Sequence, residues 1–148
     1  MATTTAAITL TSTDIMDSAL SISNTSTLYT AGTNTGITET TGLARKKFAT
    51  ASNTVLLQHG LAGGIAQDVT ADKSAKVYIR NINARGDGSK YVNILLALRE
   101  IGRLYGGDWM FFPYAADWTS AAHANNQDID VTPSNTDSVT LEYMIIYE

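Results

Sequence analysis

Apolar and polar residues alternate with a period of two through much of the second half of the chain. In the closing run SVTLEYMIIYE, Val139, Leu141, Tyr143, Ile145 and Tyr147 share one face, the pattern of a strand with one side buried. In KVYIRNI, Val77 and Ile79 point one way while Lys76, Tyr78 and Arg80 point the other. The segment NARGDGSK, Asn83 to Lys90, carries an Asp-Gly step that predicts a hairpin turn. After it, YVNILLAL places Val92, Ile94, Leu96 and Leu98 together on one face. The same stretch also traces a helical stripe through Tyr91, Ile94, Leu95, Leu98, Ile101 and Tyr105. The strand reading is preferred, because Tyr91 to Ile94 directly follow a turn and Gly102 would interrupt the helix.

The densest aromatic stretch is Ile101 to Tyr114, IGRLYGGDWMFFPY. Gly106-Gly107-Asp108 predicts a turn and Trp109 to Pro113 a short strand stopped by proline. On that strand Trp109, Phe111 and Pro113 face one way, and Met110, Phe112 and Tyr114 the other. Both faces are apolar, so the strand is either covered twice or presents one side to another subunit. DWTSAAHANNQ, Asp117 to Gln127, reads as a loop carrying Trp118. Asp128 to Thr132 reads as a strand with Ile129 and Val131 inward, and Pro133 to Asp137 as a turn.

The first third is weaker in pattern. Ala6, Ile8 and Leu10 share a face, as do Leu20 and Ile22, predicting two strands joined by one helical turn near Asp14 to Ala19. Thr30 to Gly42 is loop-like, and suits an arm that orders on a partner. Arg45, Lys46 and Lys47 fit a solvated strand edge, and Thr54 to Gln58 a further strand. The expected fold is all-β: a β-sandwich or jelly-roll body of about eight strands over residues 43–148, with an extended N-terminal segment, 1–42, of arm or edge strands.

Composition narrows the function classes. Of 148 residues, 16% are charged and the net charge is −4, which argues against nonspecific binding to a phosphate backbone. No apolar run is long enough for a membrane-spanning helix. MATTTAAITLTSTD has neither a basic start nor a continuous apolar core, so no secretory signal is expected. The absence of cysteine excludes disulfides, thiolate metal sites and a cysteine nucleophile.

Catalytic patterns are sparse. His59 adjoins a glycine-rich run and His123 lies in an Ala/Asn-rich loop, without a G-x-S-x-G elbow or an i,i+4 histidine pair. Gly60, Gly63 and Gly64 match neither a dinucleotide fingerprint nor a P-loop. Asp128 and Asp130 project from one strand face and, with backbone carbonyls, form a calcium candidate; the plainer reading is a pair of solvent-facing carboxylates. Arg85-Gly86-Asp87 spells an adhesion tripeptide but falls where a turn is independently expected. No catalytic, cofactor or metal residue is therefore assigned. The candidate interface residues are Trp109, Phe111, Phe112, Tyr114 and Trp118, as an assembly surface or a sugar platform.

Taken together, KVYIRNIN, KYVNILLAL, LYGGDWMFFPY and DIDVTPSNTDSVTLEYMIIYE resemble the β-rich virion proteins of tailed bacteriophages, particularly those of marine and cyanobacterial phages. The shared elements are a Tyr-Ile-Arg/Lys-Asn strand, a Gly-Asp-x-x-x-x-Pro corner and a final Val-x-x-Glu-Tyr strand, within residues 76–148. The resemblance implies a non-enzymatic particle component, foremost a capsid decoration (cement) protein, with a neck, tail or head-fibre piece as the alternative. It further implies assembly in the host cytoplasm and residence in the virion. The implied partners are the major capsid protein or other virion proteins and further copies of the chain, a trimer among the symmetric options; neither nucleic acid nor membrane is implied. A carbohydrate-binding or adhesin module is the competing class, and a hydrolase with a dispersed site the third.

Overall fold

The strand that organises the body is the one with the clearest alternation. In a computed structural model describing residues 3–14, 19–29, 34–37, 39–49, 51–57, 59–60, 69–70, 74–115, 128–134 and 138–147, β13 (Val139–Tyr147) lies inside a sheet. Val139, Leu141 and Ile145 are fully buried, and Tyr143 nearly so. On one flank it pairs antiparallel with β8 (Ser74–Asn81), and β8 in turn with β11 (Trp109–Ala115). Its other flank takes β3 (Glu39–Thr40) and β4 (Ala44–Phe48) end to end.

Between β3 and β4 the chain bulges at Thr41–Gly42, where Gly42 has φ of 75°. The bulge is stitched to β13: Thr40 Oγ1 donates to the Ile145 carbonyl (2.9 Å), and Thr41 Oγ1 accepts from the Ile145 amide (3.1 Å). β3 and β4 therefore act as one interrupted edge strand. Lys46 sits on its core side, with Nζ 5.2 Å from the Phe48 ring centroid. An inward-side lysine on an edge opposes pairing with a foreign strand.

The second sheet runs β10 (Arg99–Leu104), β9 (Val92–Leu96), β12 (Ile129–Pro133), β5 (Thr54–Leu57), all antiparallel. Val92, Ile94, Leu104, Ile129 and Val131 from this sheet join Val77, Ile79, Leu141 and Ile145 from the first in a single buried cluster. That is the core of a β-sandwich, the expected fold class. With β3 and β4 counted as one strand, each sheet has four strands, and every step along the chain between these strands changes sheet except β9 to β10. This alternation is the double-Greek-key order of a jelly roll. Between β5 and β8, two short strands, β6 (His59–Gly60) and β7 (Val69–Thr70), pair in parallel.

Two expectations are corrected, the hairpin at Asn83 to Lys90 and the strand carried through Leu98. Asn83 to Lys90 is not a hairpin, because β8 and β9 belong to different sheets; the segment is a crossover loop. Its Asp87 still makes a local turn, with the Lys90 amide donating to the Asp87 carbonyl at 3.2 Å. The hairpin instead lies at Ala97–Leu98, between Leu96 and Arg99. Both residues have positive φ, 53° and 61°, as a two-residue type I′ turn requires. Leu98 is thereby turned away from Val92 and Ile94 and is 61% exposed.

Non-glycine residues in that conformation cost roughly 1–2 kcal/mol each. Ala97→Asn with Leu98→Gly, the preferred residues for such a turn, is expected to stabilise the fold by about 1–2 kcal/mol. A melting temperature higher by roughly 2–8 °C would register the gain.

The chain divides into two compact units, Met1–Thr38 and Glu39–Glu148. The first unit is built on an antiparallel hairpin of β1 (Thr5–Ser12) and β2 (Leu20–Thr27). The Leu28 amide donates to the Thr4 carbonyl (2.8 Å), and Thr4 Oγ1 donates to the Ile37 carbonyl (3.0 Å). The helical turn expected near Asp14 to Ala19, the glycine-rich run after Gly60 and the Trp118 loop lie wholly or largely outside the described residues.

Candidate functional site

The aromatic strand β11 borders its sheet, so among the described residues one of its backbone edges has no sheet partner. Its alternation resolves as the sequence pattern implied, but the strand runs through Pro113 to Ala115 instead of stopping there, because proline is tolerated on a strand at the sheet border. Tyr114 lies in the core, and Met110 and Phe112 pack against it. Burial pushes the Tyr114 phenol well above its ordinary pKa, helped by the charge of Asp128. Trp109, 52% exposed, and half-buried Phe111 face outward. Of the five candidate interface residues, Phe112 and Tyr114 thus face inward, Trp109 and Phe111 remain available on the surface, and Trp118 lies outside the described residues.

Register extends the outward face across three strands. Phe111 sits beside Tyr78, and Tyr78 beside Met144; Trp109 sits beside Arg80, and Arg80 beside Glu142. Glu142 is nearly buried, 6% exposed. Its carboxylate accepts from Arg45 Nε (2.8 Å) and also pairs with the Arg45 terminal nitrogen (2.7 Å), while the Tyr78 hydroxyl donates to its other oxygen (3.4 Å). Arg80 is left without a carboxylate partner among the described residues. Tyr78, Arg80, Gly107 and Trp109 line a shallow concavity of about 390 Å³.

At the end of this face, Asn81 ties the corner together. It is fully buried. Its Nδ2 donates to the Lys90 carbonyl (3.0 Å) and the Leu104 carbonyl (3.1 Å), and its Oδ1 accepts from the Asn83 amide (3.1 Å). Its backbone closes on the glycine turn: the Gly107 amide donates to the Asn81 carbonyl and the Asn81 amide to the Asp108 carbonyl. Asp108 caps the turn by accepting from the Tyr105 amide at 3.1 Å. Sequence reasoning singled out Gly106–Asp108 and took Asn81 only as the last residue of the Tyr-Ile-Arg-Asn strand; its buried role was signalled by a polar residue on the inward phase of an otherwise apolar strand.

The Arg85-Gly86-Asp87 charges are engaged within the chain. Arg85 pairs with Asp108 at 3.6 Å. Asp87 accepts from the Ser89 amide (3.0 Å) and hydroxyl (2.5 Å) and pairs with Lys90. These hydrogen bonds from Ser89, with the neighbouring Lys90, hold the Asp87 carboxyl below its ordinary pKa.

The carboxylate of β12, Asp130, differs from expectation. Ile129 and Val131 are inward as predicted, but Asp130 is 4% exposed rather than solvent-facing. It lies between Val55 and Leu95 in the register, with Asn53 as a hydrogen-bond partner. Burial raises its pKa above the ordinary 3.8, opposed by the Asn53 bond and assisted by Asp128. Among the described residues no three acidic or histidine side chains converge as a metal site would require. His123, and the side chain of His59, lie outside the described residues.

The folded protein holds the Asp130 proton more tightly than the unfolded chain does. Stability therefore falls as pH rises from 3.8 through the raised value, and the loss is complete above it. Asp130→Asn, which keeps an acceptor for Asn53, is expected to raise the melting temperature at pH 7. The gain should vanish near pH 3, which melts at the two pH values would check.

No helix among the described residues is long and apolar enough to cross a membrane. No protein-family model matches the chain, and no curated protein matches it in sequence.

Proposed function

We propose that the chain is a non-enzymatic structural component of a phage virion, foremost a capsid decoration (cement) protein that binds and stabilises the outer capsid surface. The observation that carries this reading is where the residues of the resemblance fall. Tyr78 to Asn81, Gly107 to Pro113 and Val139 to Tyr143 occupy three adjacent strands of one sheet and the turn leading into it. Tyr78 meets Glu142 there, and Asn81 holds the Gly107–Asp108 turn. The shared pattern is thus a framework of mutual support, the role expected of a particle component that performs no turnover.

The jelly-roll order is common to capsid and lectin domains, which supports the reading by analogy of fold alone. On this proposal the partners are the major capsid protein or other virion proteins together with further copies of the chain. Assembly takes place in the host cytoplasm and the working location is the virion.

Co-sedimentation of the purified protein with particles lacking it tests the proposal. The expected result is saturable binding at a fixed ratio to the capsid subunit and a higher temperature of particle disruption. Absence of the protein from purified virions would sink it. Binding confined to the neck or tail would instead place it among the other virion parts.

A second reading, a carbohydrate-binding or adhesin module, is favoured by the concavity between Trp109, Tyr78 and Arg80, which has no carboxylate partner among the described residues. An indole for stacking beside an exposed guanidinium suits an acidic sugar. A glycan array showing selective binding of acidic glycans, lost in Trp109→Ala, would favour this reading.

A further inference from the structure

The β1–β2 hairpin is amphipathic and uncovered. Residues opposite each other in the register share a face: Leu10 with Ile22, Ile8 with Asn24, Ala6 with Ser26, Ser12 with Leu20. That face carries Ile8, Leu10 and Ile22, which are 49%, 51% and 52% exposed. The opposite face, Thr5, Ala7, Thr9 and Thr11 with Ser21, Ser23, Thr25 and Thr27, is almost wholly hydroxylic. Neither strand contains a charged residue or a proline, and among the described residues each keeps one edge free of strand partners in this two-stranded sheet. A lone two-stranded sheet with an exposed apolar face is marginal in water. Long, uncharged, apolar edges are what folded proteins otherwise blunt or cover, as Lys46 does in the body.

The occupant of this face follows from the same features. With no charge on either strand, and the hairpin's only charges, Asp14 and Asp17, in the segment that joins them, nothing on the apolar face would recognise a charged partner. What it offers, two free edges and one apolar face, is satisfied at once by further copies of itself. Two hairpins stacked face to face fall short. Eight residues at about 3.3 Å each and two strands about 4.8 Å apart give roughly 250 Å² per face. The pair would bury roughly 500 Å², below the ~1,200 Å² of a stable interface, and would leave every edge open. Closing a ring edge to edge buries the faces and removes the edges together.

We infer that the β1–β2 hairpin is a self-assembly element: hairpins from three or more copies of this chain pair through their edges into a closed β-structure around their shared Ile8, Leu10 and Ile22 faces. This gives the expected oligomer a surface, and it holds or fails independently of the virion reading.

Light scattering on the 148-residue chain at micromolar concentration, after size exclusion, is the test. The expected mass is a discrete trimer or larger closed species. Ile8→Lys with Ile22→Lys should shift it to monomer while leaving the near-ultraviolet circular dichroism of the body unchanged. Thr9→Lys, on the hydroxylic face, should keep the oligomer. So should Trp109→Ser with Phe111→Ser, which alter the body's own apolar face. A monomeric or dimeric wild type, or a heterogeneous aggregate, would overturn the inference. Survival of the oligomer in the double lysine variant, or its loss only in the Trp109 variant, would do the same. Particle binding is read separately, so a protein that assembles but does not bind capsids refutes only the virion proposal.

Discussion

Asn81→Ala is expected to destabilise the body by about 3–5 kcal/mol, the largest effect of any single side chain outside the apolar core. The amide is fully buried and makes three side-chain hydrogen bonds, to the Lys90 and Leu104 carbonyls and from the Asn83 amide. Truncation leaves three backbone groups without their partner, and an unsatisfied buried group costs about 1–3 kcal/mol. The Leu104 contact is the most enclosed of the three; Lys90 and Asn83 are half-buried, which keeps the total from reaching the simple sum. Asn81→Asp separates hydrogen bonding from volume. It retains shape and the Asn83 contact, but it places a carboxylate against two carbonyl oxygens, so it should be at least as damaging as alanine. Urea unfolding followed by tryptophan fluorescence would measure both. A loss under 1 kcal/mol in either variant would contradict the role assigned to Asn81.

Gly106→Ala is the second. A Cβ there would stand 2.8 Å from the Ala84 carbonyl carbon and 2.9 Å from the Asn83 carbonyl oxygen, with the Ala84 oxygen nearer still. All three are backbone atoms of the crossover loop and none can swing aside. The glycine turn and the loop would have to separate, which loosens the Gly107–Asn81 and Asn81–Asp108 hydrogen bonds. A cost of about 3 kcal/mol or more is expected, in the range of overpacking combined with lost bonds. Gly107→Ala provides the contrast. There φ is 85° and the Cβ would meet the flexible Arg85 side chain, so the cost is the roughly 1–2 kcal/mol of left-handed strain. Equal effects at the two positions would argue against close packing at Gly106.

These positions show how far the sequence could be read. Strand identity on β8, β11, β12 and β13 was legible because each strand has one side in a shared core, and a half-buried strand writes that side into alternate residues. The outward phase of Trp109 and Phe111 followed from the same rule. Turns were less legible. Asp87–Gly88 has good hairpin chemistry, but its flanking strands lie in different sheets; Ala97–Leu98 has poor hairpin chemistry and is the hairpin. Turn preferences are worth about a kilocalorie per residue, whereas sheet assignment is decided by whole strands burying their faces. Asp130 was read as solvent-facing because alternation separates two faces without saying which of them is covered.

The sequence by itself therefore determined the all-β class, the phase of the principal strands, an apolar stripe on the first hairpin, and the lack of cysteine or basic chemistry. Those properties are local, set by which side of each strand avoids water. The tertiary structure decided the jelly-roll order, the burial of Asp130, the outward apolar surface that Trp109 and Phe111 share with Tyr78 and Met144, and the closing of the glycine corner on Asn81. Each of these depends on which distant strand becomes a neighbour. That choice is made by the summed packing of two sheets around one core, for which no short stretch of sequence carries the energy.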